Sequence, residues 1–438
     1  MSKKNKLILV LAILACVVSS VYAQTTSPYS RYGYGILKDQ AVGPSKGMGG
    51  ISYGLRNSYS ANPGNPASYS RVDSLTFLFD IGVTYNKSRL KDDSGSQSDD
   101  NGSLDYVTML MPLSKRLGMS LGILPYSTVG YSFGSVATDN GVSYLRSFSG
   151  SGGLNQVYVG LGYDVPVEGL SVGANISYLL GSLKNTSAIP SIGAGSSSYY
   201  ATYASSDLSV KSLKFDLGVQ YEMSISKKDL LTLGAVYSPS IKASSAKYTY
   251  SQYLLASSTT AISENIETHS GQDAGIPATY GVGFTVAHNE NVLVGADVTF
   301  KKWKGVKYPS LMGDGMTDDN RFNDSWKYNV GGEYMVNPYG RSFLQRIKLR
   351  GGLNYGNSYL NFKNSDGTDG YKQYGATVGF GIPLRDSQAF GNRVSYLNIN
   401  FEYKKLKPQI KSMISEEYFG VSLNVNINEL WFMQRKVY

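Results

Sequence analysis

Tyr418-Phe419-Gly420-Val421-Ser422-Leu423-Asn424-Val425-Asn426-Ile427 alternates without a break, with Phe419, Val421, Leu423, Val425 and Ile427 against Gly420, Ser422, Asn424 and Asn426. A period of two sends successive side chains to opposite faces of an extended strand. Such a strand divides an apolar medium from a polar one. The patterned part of the chain opens in the same way, from Ser74 to Asn86: Leu75, Phe77, Phe79, Ile81, Val83 and Tyr85 oppose Thr76, Asp80, Gly82 and Thr84.

Twelve more alternating segments lie between these two, near residues 104–112, 117–124, 154–164, 170–182, 211–222, 230–238, 278–287, 291–302, 325–336, 345–356, 371–382 and 394–404. Their connections take turns in length. Residues 113–116, 165–169, 223–229, 288–290, 337–344 and 383–393 are short links, whereas most of the others, such as 87–103, 183–210 and 239–277, are long and polar. An even strand count with short turns on one side and long loops on the other is the pattern of an outer-membrane barrel with both ends in the periplasm. The fold class is therefore all-β: a fourteen-stranded antiparallel transmembrane barrel over residues 74–428. A soluble sandwich or propeller also alternates, but with shorter strands and a core rich in Leu and Ile. Here the apolar faces are broken by glycine and flanked by tyrosine. The opposite faces carry Asp80, Asp216, Glu222, Asp297, Glu333, Arg350 and Glu402, which are expected to face the lumen.

Composition narrows the function. Of 438 residues only 17% are charged, while 49 are glycine and 36 tyrosine. One cysteine and two histidines leave almost no material for metal cages, redox pairs or histidine-centred catalysis. The formal charge of +9 is dispersed, with no basic stripe for nucleic acid. Beyond the first twenty-odd residues no apolar run reaches the ~18 residues of a membrane helix.

Lys3, Lys4 and Lys6 precede an apolar run from Leu7 to Val18, and Val21-Tyr22-Ala23 supplies small residues for a signal peptidase. Residues 1–23 are read as a cleaved signal peptide. A lipobox around Ile13-Leu14-Ala15-Cys16 is the rival reading, and Leu14 fits it poorly. Residues 24–73 lack alternation and are rich in Gly, Pro, Asn and Ser, so they are expected to form a plug inside the barrel. Residues 429–438 are read as a periplasmic tail.

The plug segment also carries a resemblance. Ser27-Pro28-Tyr29-Ser30-Arg31-Tyr32-Gly33-Tyr34-Gly35, then Gly47-Met48-Gly49-Gly50 and Asn65-Pro66-Ala67-Ser68-Tyr69, resemble the start of Bacteroidota members of the FadL-type outer-membrane transporter family, which includes TodX. Further echoes are Leu124-Pro125-Tyr126-Ser127, Gly152-Gly153-Leu154-Asn155-Gln156 and Gly379-Phe380-Gly381-Ile382-Pro383. The resemblance implies a lumen filled by an amino-terminal hatch, with Gly47, Gly49, Gly50 and the motif Asn65, Pro66, Ala67 as its key residues. It also implies a lateral gate at a kink in the third strand, for which Gly122 and Pro125 are the candidates. Proline cannot donate to a β-ladder, and an ordinary strand end is the plainer reading of Pro125.

The function so implied is passive uptake of hydrophobic small molecules such as long-chain fatty acids. The alternative is a barrel that transports nothing and serves as subunit or escort in an outer-membrane protein secretion or assembly complex. Expected partners are the lipid bilayer, a hydrophobic or detergent-like ligand, and other subunits of such a complex; no nucleic acid, cofactor or metal is expected. Gly130-Tyr131-Ser132-Phe133-Gly134 matches the nucleophile elbow of hydrolases without its strand-to-helix context, so no catalytic residue is assigned. Acidic stretches at Asp314, Asp318, Asp319 and Asp324, and at Asp366 and Asp369, lack full calcium-loop spacing and are read as solvated loops.

Overall fold

The computed structural model describes residues 27–93, 95–139, 142–192, 199–255, 261–309, 322–364, 367–385 and 394–430. The signal-peptide reading, Asp314, Asp318, Asp319, Asp366 and most of the tail fall outside these residues. Alternation becomes fourteen barrel strands, numbered here along the chain: β1 Thr76–Lys91, β2 Ser96–Pro112, β3 Leu117–Asp139, β4 Val142–Asp164, β5 Leu170–Ile192, β6 Tyr199–Ser224 and β7 Asp229–Ser238. The second half is β8 Ala278–His288, β9 Val292–Lys302, β10 Ser325–Met335, β11 Lys348–Asn357, β12 Tyr371–Arg385, β13 Val394–Pro408 and β14 Ser415–Leu430. Each pairs antiparallel with its neighbour, and β14 closes on β1, with Leu423 opposite Val83. Closure removes the sheet edges that fourteen strands would otherwise expose. No helix among the described residues is long and apolar enough to cross a membrane.

The outer surface fits a bilayer. On β10, Trp326, Tyr328, Val330 and Tyr334 point outward and are exposed, while Asn329 between them is buried. Neighbouring rings continue the aromatic level around the wall: Tyr237 to Tyr280 at 5.2 Å, Phe300 to Trp326 at 4.6 Å, Tyr328 to Tyr355 at 6.2 Å and Tyr355 to Tyr374 at 5.3 Å. Six successive strands, β7 to β12, thus share one girdle. Such a ring beside an aliphatic band of Val282, Val330, Leu353 and Val378 marks a membrane interface.

Two expectations about the connections are corrected. Most of residues 87–103 and 183–210, read as loops, belong to strands that run past the barrel: β5 and β6 stay paired out to Ile192 and Tyr199. Their serine-rich composition hides inward apolar positions such as Leu183 and Leu208, both fully buried. Residues 239–277 form an added hairpin, Ile241–Leu255 with Ala261–Ile276, laid against the outer part of β6. Pro125 does not end the third strand either. β3 continues to Asp139, paired with β4, and merely slips register between Pro125 and Ser127.

Register is tested at adjacent residues of β14. Leu423 is 45% exposed, and Asn424 is fully buried with its Oδ1 accepting from Asn400 Nδ2 at 2.9 Å. Leu423→Arg should cost about 2–4 kcal/mol at midplane depth. Asn424→Leu should cost about 1–3 kcal/mol by stranding Asn400. Urea titration of folding into vesicles checks both, and a Leu423→Arg variant as stable as the parent would contradict the assigned lipid face.

Candidate functional site

The site is the filled lumen. Residues 27–73 enter it as short pieces: a 3-10 turn Pro28–Arg31, a two-residue strand Ile36–Leu37, a helical turn Pro44–Gly47 and a second 3-10 turn Pro66–Arg71. Their backbone presses directly on the wall, and the wall answers with glycine. A Cβ on Gly118 would lie 1.9 Å from the Tyr69 carbonyl oxygen, on Gly234 1.9 Å from that of Tyr53, and on Gly331 2.2 Å from that of Met48. Gly162 and Gly173 meet Pro66 in the same way, and Gly352 meets Gly49. Glycine is needed at these seats for lack of room, a separate cause from its backbone freedom.

The predicted hatch residues have distinct placements. A Cβ on Gly47 would approach Asn400 Oδ1 at 2.5 Å. Gly49 combines a positive φ of 69° with wall backbone 2.8–2.9 Å from a would-be Cβ, whereas Gly50 needs glycine for its φ of 89° alone. Asn65 does more than make a turn. Its Oδ1 accepts from Ala67 N–H at 3.2 Å, capping the second 3-10 turn, and its Nδ2 donates to the Tyr53 carbonyl at 2.8 Å and the wall carbonyl of Val219 at 3.2 Å. Pro66 rests on Gly218, and Ala67 is fully buried.

The predicted inward carboxylates mostly hold this hatch or brace the wall beneath it. Asp297 accepts from the backbone amides of Ser52 at 2.5 Å and Tyr53 at 3.0 Å. Asp80 accepts from the Tyr106 hydroxyl at 2.9 Å, and that hydroxyl accepts in turn from Gly43 N–H at 2.7 Å. Glu333 joins Lys348 at 2.8 Å and Arg350 at 2.7 Å, with Arg350 also donating to Asn398 at 2.6 Å. Glu222 stands 3.9 Å from Arg71 of the hatch. Asp216 pairs with Lys214, and Glu402 faces a chamber above the hatch.

That chamber, of ≈ 280 Å³, was not legible in the sequence. Lys38, Lys46, Lys214, Lys301, Lys327 and Lys404 line it together with Asp39, Asp105, Asp216 and Glu402. Three pairs form: Lys46 with Asp105 at 2.5 Å, Lys214 with Asp216, and Lys327 with Asp39. Burial pushes the ammonium of Lys38, a hatch residue, down to about 8. Beyond the chamber the outer lumen is a solid apolar core. Trp303 and Tyr34 are both 0% exposed, Trp303 lies 4.4 Å from Tyr359, and Tyr34 meets Tyr308 edge-on at 4.9 Å. The Tyr34 hydroxyl donates to the Gly275 carbonyl of the added hairpin at 2.8 Å, and that of Tyr359 to Gly35 of the hatch at 2.7 Å.

The third strand is interrupted on one side only. β2 and β3 pair from Val107 with Ile123 to Pro112 with Gly118, and no farther. Gly122 lies in this last paired stretch, opposite Thr108, and Pro125 just past it. Beyond Ile123 the edge of β3 is taken over by the hatch: Leu37 pairs with Ser127, Ile36 with Thr128, Lys38 N–H donates to the Tyr126 carbonyl at 3.0 Å, and Ser27 N–H to that of Gly130 at 2.9 Å. Ser132, of the elbow-like motif, sits inside β3.

These features define an outer-membrane β-barrel with an internal hatch, of the FadL architecture. The chain belongs to the BamG family, whose model matches residues 1–438. Comparison with curated protein sequences finds no match. Among solved structures it is similar to the Pseudomonas putida toluene transporter TodX, at 16% identity and a TM-score of 0.63, covering 91% of this chain and 100% of that one. A Pseudomonas aeruginosa FadL homologue follows at 14% identity and 0.62, covering 90% and 99%, and the CymD monoaromatic hydrocarbon channel at 16% and 0.59, covering 89% and 98%. Those proteins include channels for hydrophobic compounds; at such identities the likeness speaks for fold.

The hatch seat gives a direct test. Gly49→Ala should destabilise the protein by about 1–3 kcal/mol, since a left-handed conformation is forced on a residue with a side chain. Gly102→Ala, with no atom within 4 Å of the new methyl group, should leave stability unchanged. Thermal unfolding and protease sensitivity of residues 27–73 check the pair; equal behaviour would remove the wall contact as a constraint.

Proposed function

We propose that this chain is a closed barrel acting as a subunit of an outer-membrane protein assembly complex. One observation carries the reading: the outer lumen, where an apolar ligand would enter, is occupied by the chain's own Trp303, Tyr34, Tyr308, Phe322 and Tyr359. Below that seal the space is a chamber of charged and amide groups, a poor host for a hydrocarbon because ligand pockets of that kind are mainly apolar. Membership of the BamG family favours the same alternative. A plugged barrel still offers an assembly complex a rigid membrane anchor with extended outer strands and a turn at residues 336–347 that exposes Val336, Tyr339, Phe343 and Leu344.

A second reading, passive uptake of hydrophobic molecules such as long-chain fatty acids, draws on the one-sided break at β3 and on the fold shared with hydrocarbon channels. Under it, hatch residues 36–38 would leave the edge of β3 and open a side door between β2 and β3.

Mild-detergent purification from native outer membrane, combined with depletion in cells, separates the two. A subunit should co-purify in fixed ratio with barrel-assembly proteins, and its loss should lower the levels of other outer-membrane barrels. Uptake of a hydrophobic probe should not change. A chain that purifies alone and whose Pro125→Val variant loses probe uptake at normal abundance would overturn the assembly reading in favour of the channel.

A further inference from the structure

The charges of the chamber do not cancel. Six lysines stand against four carboxylates, a surplus of two: Lys38 from the hatch lies in the field of Asp105 and Glu402, Lys301 from β9 in that of Asp39 and Asp216, and neither these two nor Lys404 from β13 has an ion-pair partner among the described residues. Lys404 instead lies 4.9 Å from the centre of the Tyr418 ring. Uncompensated cations in a confined space are costly, and proteins pair them or bind counter-charge.

We propose that the chamber is a binding site for a phosphate-type oxyanion. The surplus of two positive charges matches a phosphate monoester, which carries about −1.5 to −2 at neutral pH and offers three acceptor oxygens. A carboxylate would cancel only half of it. Three ammonium groups from three separate elements suit an anion that accepts from several directions, and lysine serves phosphate as a point charge. Inorganic phosphate and a phosphorylated lipid headgroup share this chemistry. Asp105 and Pro125, which flank the end of the β2–β3 ladder, belong to the chamber wall, so the chamber lies behind that break, and a lipid headgroup would reach it only if residues 36–38 left the edge of β3. A volume of ≈ 280 Å³ is large enough for a phosphate group. This inference is independent of whether the barrel assembles or transports.

The test uses full-length mature protein in a non-ionic detergent and phosphate-free buffer at fixed ionic strength. Thermal unfolding and calorimetry follow titration with inorganic phosphate, dihexanoyl phosphatidic acid or hexanoate. Inorganic phosphate should stabilise saturably, and more tightly than hexanoate. The double variant Lys38→Met/Lys301→Met should bind phosphate about tenfold more weakly or worse, as expected when charge-assisted hydrogen bonds are lost, whereas Lys38→Arg should keep affinity. If the double variant fails to fold, each single variant reads the same loss. Phosphatidic acid binding far more tightly than inorganic phosphate would mark a lipid source, and equal affinities a free anion; both support the site. No saturable response to either phosphate probe, equal affinity for hexanoate, or undiminished binding in folded lysine-to-methionine variants would overturn it.

Discussion

Everything inside this barrel depends on the contact of hatch backbone with wall backbone at glycine. A fourteen-stranded barrel leaves a lumen wider than its own side chains fill, and this chain fills it with a second layer of main chain. That layer has peptide groups to satisfy and no regular secondary structure long enough to satisfy them. It therefore comes close enough to bond the wall directly, as Tyr53 and Asn65 do through Asp297, Gln220 and the Val219 carbonyl. Close approach excludes Cβ atoms, which is why glycines on β3, β4, β5, β6, β7, β10 and β11 meet residues 48–69. The high glycine content is the imprint of the hatch on the wall.

The hatch also explains how the break in the β2–β3 ladder is tolerated. An unpaired edge of β3 within a membrane barrel would leave amide and carbonyl groups unsatisfied, at several kcal/mol each in hydrocarbon. Between Tyr126 and Gly130 the hatch supplies the missing partners. The barrel is thus closed by its strands at the short-turn end and, on one side of β3, by its plug farther out. Residues 27–38 are the ones that patch the wall.

Strand number, class and lipid-facing positions could be read from residues because a period of two is a local signal, strongest where one face meets lipid, as at Phe419 to Ile427. Glycines such as Gly234 and Gly331 read as interruptions of that pattern. Their cause is a carbonyl oxygen nearly 200 or more residues away in the hatch, a contact with no local trace. The outer extensions of β5 and β6 carry no such signal, because residues 183–192 and 199–210 mix serine, threonine, alanine and tyrosine without the strict alternation that an apolar medium on one face enforces. The charged chamber was beyond sequence reasoning for a similar reason. Lys38, Lys301 and Lys404 have no common spacing, and only barrel closure brings β9, β13 and the hatch around one space.

These contacts bear on whether the plug can move. Withdrawing residues 48–56 from the wall would strip Asp297 of two backbone donors and Thr285 of the Gly54 carbonyl to which its hydroxyl donates at 2.7 Å. Breaking one partner away from a buried polar group costs about 1–3 kcal/mol, and more where the group is charged. Residues 44–72 make such bonds to several strands around the barrel, from Thr84 on β1, which accepts from Lys46 at 3.3 Å, to Asp297 on β9, so rigid withdrawal would break them together. The segment 27–40 is held as well: besides its short ladder on β3, the Ser27 hydroxyl donates to Glu416 at 2.8 Å and the Tyr34 hydroxyl to the Gly275 carbonyl at 2.8 Å. Both parts of the hatch are therefore tied into the wall by buried hydrogen bonds, and displacing either would break several of them at once.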